Sequence, residues 1–210
     1  IDDYHVSASG GSDFFVMGLG SSGQNTYGFV HNANYSNGAI DDAGSDYSAD
    51  MDALYLSWLP EGVVVDANFG KVSHGSGGPG SPANDAYTDY FAGIEAFDLT
   101  QYDDYFTGGG AVDINWIDPG SGNDQIHGVD SVFTVIDYSS VSNEFGVDIY
   151  NDGLSSNVPV GTSTVIVENA EYYDGAVLLD NGDVDVYRNV DYFIGTDEDD
   201  AYIGGSGSDQ

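Results

Sequence analysis

Gly120-Ser121-Gly122-Asn123-Asp124-Gln125-Ile126-His127-Gly128 is the stretch on which the reading of this chain turns. Glycine tolerates positive φ and close backbone approach, so a Gly-x-Gly run permits a tight turn with carbonyls pointing inward. An aspartate closes the turn, and an apolar residue two positions on enters a short strand. The same unit recurs elsewhere. Leu99-Thr-Gln-Tyr-Asp-Asp-Tyr-Phe-Thr-Gly-Gly-Gly-Ala-Val-Asp113 aligns without gaps on Gly195-Thr-Asp-Glu-Asp-Asp-Ala-Tyr-Ile-Gly-Gly-Ser-Gly-Ser-Asp209 at an offset of 96. Thr100/Thr196, Asp103-Asp104/Asp199-Asp200, Gly108-Gly109/Gly204-Gly205 and Asp113/Asp209 are shared. The start of the chain matches the same block, Asp2-Asp3-Tyr4 meeting Asp103-Asp104-Tyr105. Within a block, Asp104 to Asp113 and Asp200 to Asp209 are nine residues apart. The expected organisation is a first repeat over 1–101, a second over 102–198 and the start of a third over 199–210.

The chain has 210 residues, with 36 Asp+Glu against 2 Lys+Arg, a formal charge of −34. Lys71 and Arg188 cannot form the basic face that nucleic-acid binding needs, and an acidic membrane would repel the chain. At 40% hydrophobic and 13% aromatic it can still build a core, which argues against disorder. Without cysteine there is no disulfide, thiolate nucleophile or Cys-based zinc site. No apolar run approaches the ~20 residues of a membrane span, so no membrane insertion is expected. The start, Ile1-Asp2-Asp3-Tyr4, carries neither Met nor a basic or apolar stretch and reads as a processed or excised end.

Short strand runs stand at Gly62–Asp66, Phe145–Tyr150, Ser163–Glu168 and Ala176–Asp180, with turns at Asn37-Gly38, Asp152-Gly153 and Asn181-Gly182. Ser73–Pro82 reads as a loop. No stretch holds a capped 3.6-residue apolar period, so little helix is expected.

Gly204-Gly205-Ser-Gly207-Ser-Asp209, Gly120-Ser-Gly122-Asn-Asp124-Gln-Ile126 and Gly195-Thr-Asp197-Glu-Asp199-Asp200 resemble the hemolysin-type calcium-binding repeats of the RTX family. Val129–Ser139 is similar to the strand that often trails such repeats, and Asp52–Ser57 to its earlier counterpart. The resemblance implies an all-β fold: short β-roll-like calcium turns interspersed with β-sandwich- or β-solenoid-like strands in two repeats of about 100 residues. It also implies Ca²⁺ as the bound ion and secretion from a Gram-negative bacterium, hence a secreted, extracellular or cell-surface location.

Turn carbonyls with carboxylates are what calcium prefers, six to eight oxygens at ~2.3–2.6 Å. Because one turn supplies only part of that shell, neighbouring turns must share an ion. The candidate ligands and ligand-forming glycines of the first group are Asp103, Asp104, Gly108, Asp113, Gly120, Gly122 and Asp124. Those of the second are Gly195, Asp197, Asp199, Asp200, Gly204, Gly207 and Asp209. Asp41, Asp42, Asp152 and Asp183 read as ordinary solvated turns, with Asp13 and Asp46 between the two readings.

His5, His31, His74 and His127 form no HExxH or close pair and read as solvated. No serine elbow, phosphate loop or distinguishable carboxylate dyad stands out, so no catalytic residue is expected and the chain reads as a non-enzyme. The 16 tyrosines read first as strand residues and second as sugar-stacking platforms. The leading expectation is a calcium-stabilised structural or adhesive module of a surface layer, filament or large adhesin. Its partners would be calcium ions and either its own copies in a lattice or filament or a cell-surface glycan. The alternatives are a non-catalytic accessory module of an extracellular polysaccharide-acting enzyme, or a virion or appendage surface protein.

Overall fold

Runs of three to five residues with apolar centres, punctuated by Gly, Asn and Asp, are too short for helices and suit strands that bury alternate side chains. The computed structural model describes residues 5–6, 14–16, 26–27, 53–57, 59–74, 87–91, 93–109, 112–141, 146–151, 157–160, 163–166 and 172–204. Among them there is no α-helix. The strands, in chain order, begin with β1 (His5–Val6), β2 (Phe14–Val16), β3 (Thr26–Tyr27) and β4 (Ala53–Tyr55). Then come β5 (Val64–Asp66), β6 (Lys71–His74), β7 (Tyr87–Tyr90), β8 (Ala96–Asp98) and β9 (Tyr105–Thr107). The centre holds β10 (Ile114–Asp118), β11 (Gln125–His127), β12 (Phe133–Asp137) and β13 (Val147–Asn151). The last are β14 (Asn157–Val160), β15 (Ser163–Ile166), β16 (Gly175–Leu179), β17 (Val184–Arg188), β18 (Tyr192–Ile194) and β19 (Ala201–Gly204). The strand runs read at Gly62–Asp66, Phe145–Tyr150, Ser163–Glu168 and Ala176–Asp180 coincide with β5, β13, β15 and β16, whereas Ser73 and His74, read as loop, belong to β6. Asn37-Gly38 and Asp152-Gly153 lie outside the described residues.

From β8 to β12 the chain alternates between two sheets, so that β8, β10 and β12 share one and β9 and β11 the other. The six-stranded sheet, β18-β12-β10-β8-β4-β2, is parallel throughout. The eleven-stranded sheet runs β1-β3-β7-β6-β5-β9-β11-β17-β16-β13-β19 and mixes directions. β6 is antiparallel to β5 and β7, and β16 is antiparallel to β13 and β17, while the other pairs are parallel. β14 and β15 make a separate antiparallel hairpin.

This mixture overturns the expected architecture of short β-roll-like turns interspersed with β-sandwich- or β-solenoid-like strands in two repeats. A β-roll is parallel and adds one strand to each sheet per winding. Here two antiparallel meanders, β5–β6–β7 and β13–β16–β17, widen one sheet only. The physical reason lies in the turns. Asn181-Gly182, with Gly182 at φ 95°, closes β16 onto β17, and Gly70, at φ 59°, ends the turn that closes β5 onto β6. Such short turns double a chain back at little entropic cost.

Register stacks the strand centres. Val65, Phe106, Ile126 and Tyr187 are paired neighbours across the larger sheet. Leu54, Phe97, Ile117, Ile136 and Phe193 are neighbours across the smaller one. All but the partly buried Phe193 are buried, and the two rows belong to one core. Edge-on aromatic contacts join the sheets, Phe97 to Phe106 at 5.0 Å and Tyr187 to Phe193 at 4.8 Å between centroids. Replacing Phe106 by Ala should therefore cost about 3–5 kcal/mol, read as a lowered denaturant midpoint. Phe69, 75% exposed, should tolerate the same change almost without effect.

Candidate functional site

The segments 99–104 and 119–124 each lead from the smaller sheet to the larger one, and they stack. Gly120 and Gly122 take positive φ, 79° and 127°. A Cβ on Gly120 would stand 2.0 Å from the Thr100 carbonyl oxygen, and one on Gly122 2.6 Å from the Tyr102 carbonyl carbon. The glycines of the opening motif are thus required by contact between neighbouring turns as well as by conformation.

The aspartates closing these turns form a buried line. Asp104 immediately precedes β9, Asp124 β11, and Asp185 occupies the matching register position in β17. Each accepts a backbone N–H from the preceding member. Val63 N–H donates to Asp104 Oδ1 at 2.7 Å, Asp104 N–H to Asp124 Oδ1 at 2.7 Å, and Asp124 N–H to Asp185 Oδ1 at 2.9 Å. Tyr138 Oη donates to Asp185 Oδ2 at 2.7 Å and ends the line. Asp104 also takes the Thr100 N–H at 2.7 Å and the Thr100 hydroxyl, which occupies both of its oxygens. Asp124 differs, because its Oδ2 is buried and has no hydrogen-bond partner among the described residues.

Burial governs the charge state. It pushes Asp104 and Asp185 up to about 7, against the backbone N–H donors that favour ionisation. It also drives Asp124 well above the usual carboxylate range, helped by the charges of Asp185 and Asp104. In its acid form Asp124 can donate to Asp185. The Tyr138 hydroxyl is pushed well up by burial and by Asp185.

A more exposed tier flanks this line. Asp103 Oδ1 accepts the backbone and side-chain amides of Asn123, Asn123 Oδ1 accepts the Val184 N–H, and Asp183 Oδ2 accepts the Gly122 N–H. Asp183, read from sequence as a free turn residue, is therefore part of the stack.

The constellation returns 96 residues on. Thr196 N–H and Val147 N–H donate to Asp200 at 2.9 Å each, as Thr100 and Val63 do to Asp104. There, however, Asp200, Asp197 and Asp199 are exposed. Gly195 lies against Asp200, where a Cβ would stand 2.0 Å from Oδ2. Gly204 ends β19; Gly207 and Asp209 lie outside the described residues, as do Asp13, Asp41, Asp42, Asp46 and Asp152.

Asp113 is not brought to Asp104. The nine-residue spacing spans β9, placing the two at opposite ends of that strand, whereas stacking follows spacings of 19 or 20, as in the pairing of Trp116 with Val135 and Ala96. Gly108 sits at Asp113's end, where Asn115 Oδ1 accepts the Gly109 N–H at 2.9 Å. Among the described residues no group of three or more His, Asp or Glu side chains is arranged to hold a metal ion.

A second aspartate row, missed in the sequence, ends the strands of the smaller sheet: Asp98 pairs with Asp118, and Asp137 lies in register beyond it. Ser57 Oγ donates to Asp98 at 2.7 Å, Ser140 Oγ to Asp118, and Trp116 Nε1 to Asp137 at 2.9 Å. Asp98 and Asp118 border a cavity of about 330 Å³ and are raised by burial. The signal was the apolar-Asp ending shared by Phe97-Asp98, Ile117-Asp118 and Ile136-Asp137. His127 is not solvated. Its Nδ1 lies 2.9 Å from Tyr105 Oη, Nε2 is buried without a partner among the described residues, and burial followed by Arg188 lowers its pKa.

No protein-family model matches the chain, and a search of curated proteins finds no match.

Two outcomes follow from the aspartate line. Asp104→Ala strands the buried N–H groups of Val63 and Thr100, at roughly 1–3 kcal/mol per buried donor, and should lower the melting temperature more than Asp200→Ala at the exposed copy. Asp104 and Asp185 rise from 3.8 unfolded to about 7 folded, so the native state binds more protons between those values. In chelator, stability should then be full below about pH 4 and fall as pH climbs through about 7. Asp124→Asn, which removes one of the coupled carboxyls, should flatten a urea-midpoint profile over that range; an unaltered slope would show that this line does not set it.

Proposed function

We propose that the chain is a calcium-stabilised structural module of a secreted or cell-surface protein, serving in self-assembly or surface attachment. The observation that carries this reading is Asp124, whose fully buried carboxylate has one oxygen without a partner among the described residues while Asp104 and Asp185 add charge beside it. A buried carboxylate with no cationic partner must take up a proton or a cation. With a charge of −34 and only two basic side chains, the chain has almost none of its own to offer. Calcium is the hard cation that oxygen-only surroundings favour. Asp124 would hold it, with Asp103 and the carbonyls of the Gly120–Gly122 turn as further oxygens. Asp104 fits the role less well, since both of its oxygens already accept protein donors. When bound, the ion supplies countercharge to the stacked turns, and millimolar calcium outside cells suits weak extracellular sites.

A structural role also follows from how the carboxylates are used. Asp104, Asp124 and Asp185 tie backbone to backbone across neighbouring strands and turns, inside the protein. One surface favours a second reading, glycan attachment. Tyr172, 54% exposed, stands against His127, Tyr173 and the Arg188 guanidinium, 4.9 Å from its ring centre, and offers a ring for stacking with polar groups around it.

Thermal melting in calcium and in chelator tests the calcium reading. A ligand bound only by the native state raises stability with its concentration, so the transition should climb as calcium is titrated. Asp124→Asn should reduce the climb. Superimposable melts of the unaltered protein with and without calcium would refute the reading.

A further inference from the structure

The face of the larger sheet turned away from the core carries half-buried polar and aromatic side chains. Thr107, His127 and Arg188 are register neighbours on β9, β11 and β17, and Tyr105 and Gln125 stand two residues earlier on β9 and β11. Side chains alternate along a strand, so these lie opposite Phe106, Ile126 and Tyr187, which fill the core. The segment that leads into β16 rests on this outer face. Its Tyr173 hydroxyl donates to Gln125 Oε1 at 2.9 Å, the Asp174 N–H donates to the Tyr187 carbonyl at 2.9 Å, and Asp174 Oδ2 accepts the Asn189 N–H at 2.8 Å. Tyr172 is set edge-on to the Tyr173 ring, 86° apart in plane, and against His127 at 5.7 Å between centroids. Its neighbours thus fix the ring while more than half of the residue stays exposed. An aromatic surface ordered in advance loses little conformational freedom when a ligand stacks on it.

Arg188 adds charge to this platform. Only 2 of the 210 residues are Lys or Arg, and one of them holds its guanidinium over the Tyr172 ring. Among the described residues no carboxylate forms an ion pair with it. A guanidinium stacked on a ring keeps its in-plane N–H groups for another partner, and that planar fork matches a carboxylate bidentately. Burial and Arg188 hold the His127 pKa below the usual histidine range, so Arg188 alone supplies positive charge here at neutral pH. The charge of −34 opposes an acidic ligand at long range. At ~0.15 M salt the Debye length is about 8 Å, so carboxylates elsewhere on the surface are largely screened. A fixed ring with a forked cation beside it suits a ligand that is itself a ring bearing a carboxylate.

We infer that Tyr172 and Arg188 form a subsite for an acidic saccharide, a uronic-acid residue whose ring stacks on Tyr172 and whose carboxylate takes the Arg188 guanidinium. The inference deepens the glycan-attachment reading and rests on it, and it needs neither calcium at Asp124 nor self-assembly. A neutral sugar uses the ring alone and binds more weakly.

Titration calorimetry of the whole chain, in calcium and about 0.15 M salt, reads the subsite. The two probes are a uronic-acid trisaccharide and the same trisaccharide with its carboxyls reduced to hydroxymethyl groups. The acidic one should bind about tenfold more tightly, as a charge-assisted bidentate contact implies. Arg188→Gln should abolish that preference and leave the neutral probe unchanged. Arg188→Lys, which keeps the charge without the fork, should retain only part of it. Tyr172→Ala should weaken both probes about tenfold, through the lost ring. Neither side chain is buried, and an unchanged melting temperature checks that each variant keeps the fold. An acidic preference that survives Arg188→Gln, as bridging by calcium would give, overturns the inference. So does a triglutamate peptide that binds as tightly as the uronate. Equal binding of the two trisaccharides rejects the acidic class and leaves glycan attachment standing. Binding of neither rejects both.

Discussion

A backbone N–H held by the carboxylate of the next turn is the contact on which the rest of this structure depends. Parallel strands in successive windings are joined by turns, and turns leave amide groups without ladder partners. In this protein an aspartate at a fixed register position takes each such amide, from Val63 to Asp104, Asp124 and Asp185. Placing the carboxylate fixes the turn, the turn fixes where the following strand begins, and the strand places its central apolar residue in the core row. Gly120 and Gly122 belong to the same device, since any side chain there would push the turns apart and break the line.

The line has an electrostatic cost that explains the character of the site. Carboxylates ideal as acceptors of N–H groups are poor neighbours for one another once water is removed. Asp104 and Asp185 offset part of the cost through several donors each, Asp185 through a tyrosine hydroxyl as well as an amide. Asp124 has one amide and a bare oxygen, so the imbalance concentrates there. The same line carries both the cohesion of the fold and its raised affinity for protons.

Much of this was legible in the sequence, though not the sheet plan. The turn motif at Gly120–Gly128 and the offset of 96 located Asp104, Asp124 and Asp200 and the exposed twin of the buried constellation. The nine-residue spacing misled, because it measures half a winding and puts Asp113 at the far end of β9, whereas contact follows the full winding. Asp185 escaped notice because its partner Asp124 is 61 residues away across the β13–β16–β17 meander, and no local pattern encodes that distance. The meanders themselves were visible only as turns such as Asn181-Gly182; which strands they insert between is decided by pairing over long separations. His127 was misjudged because Tyr172 and Tyr173, which cover it, come from another part of the chain.

The meander has a consequence for how the molecule comes to be folded. β11 has to wait for its second neighbour, β17, until 61 further residues have been made and β16 has turned back onto β17. Until then a growing chain carries an open parallel edge at β11, with Ile126 and the Asp124 carboxylate facing water. Closing so wide a loop is slow compared with forming a hairpin. The order of events is therefore set by chain length: β8 to β12 can assemble early, while the aspartate line is completed only as the second meander docks.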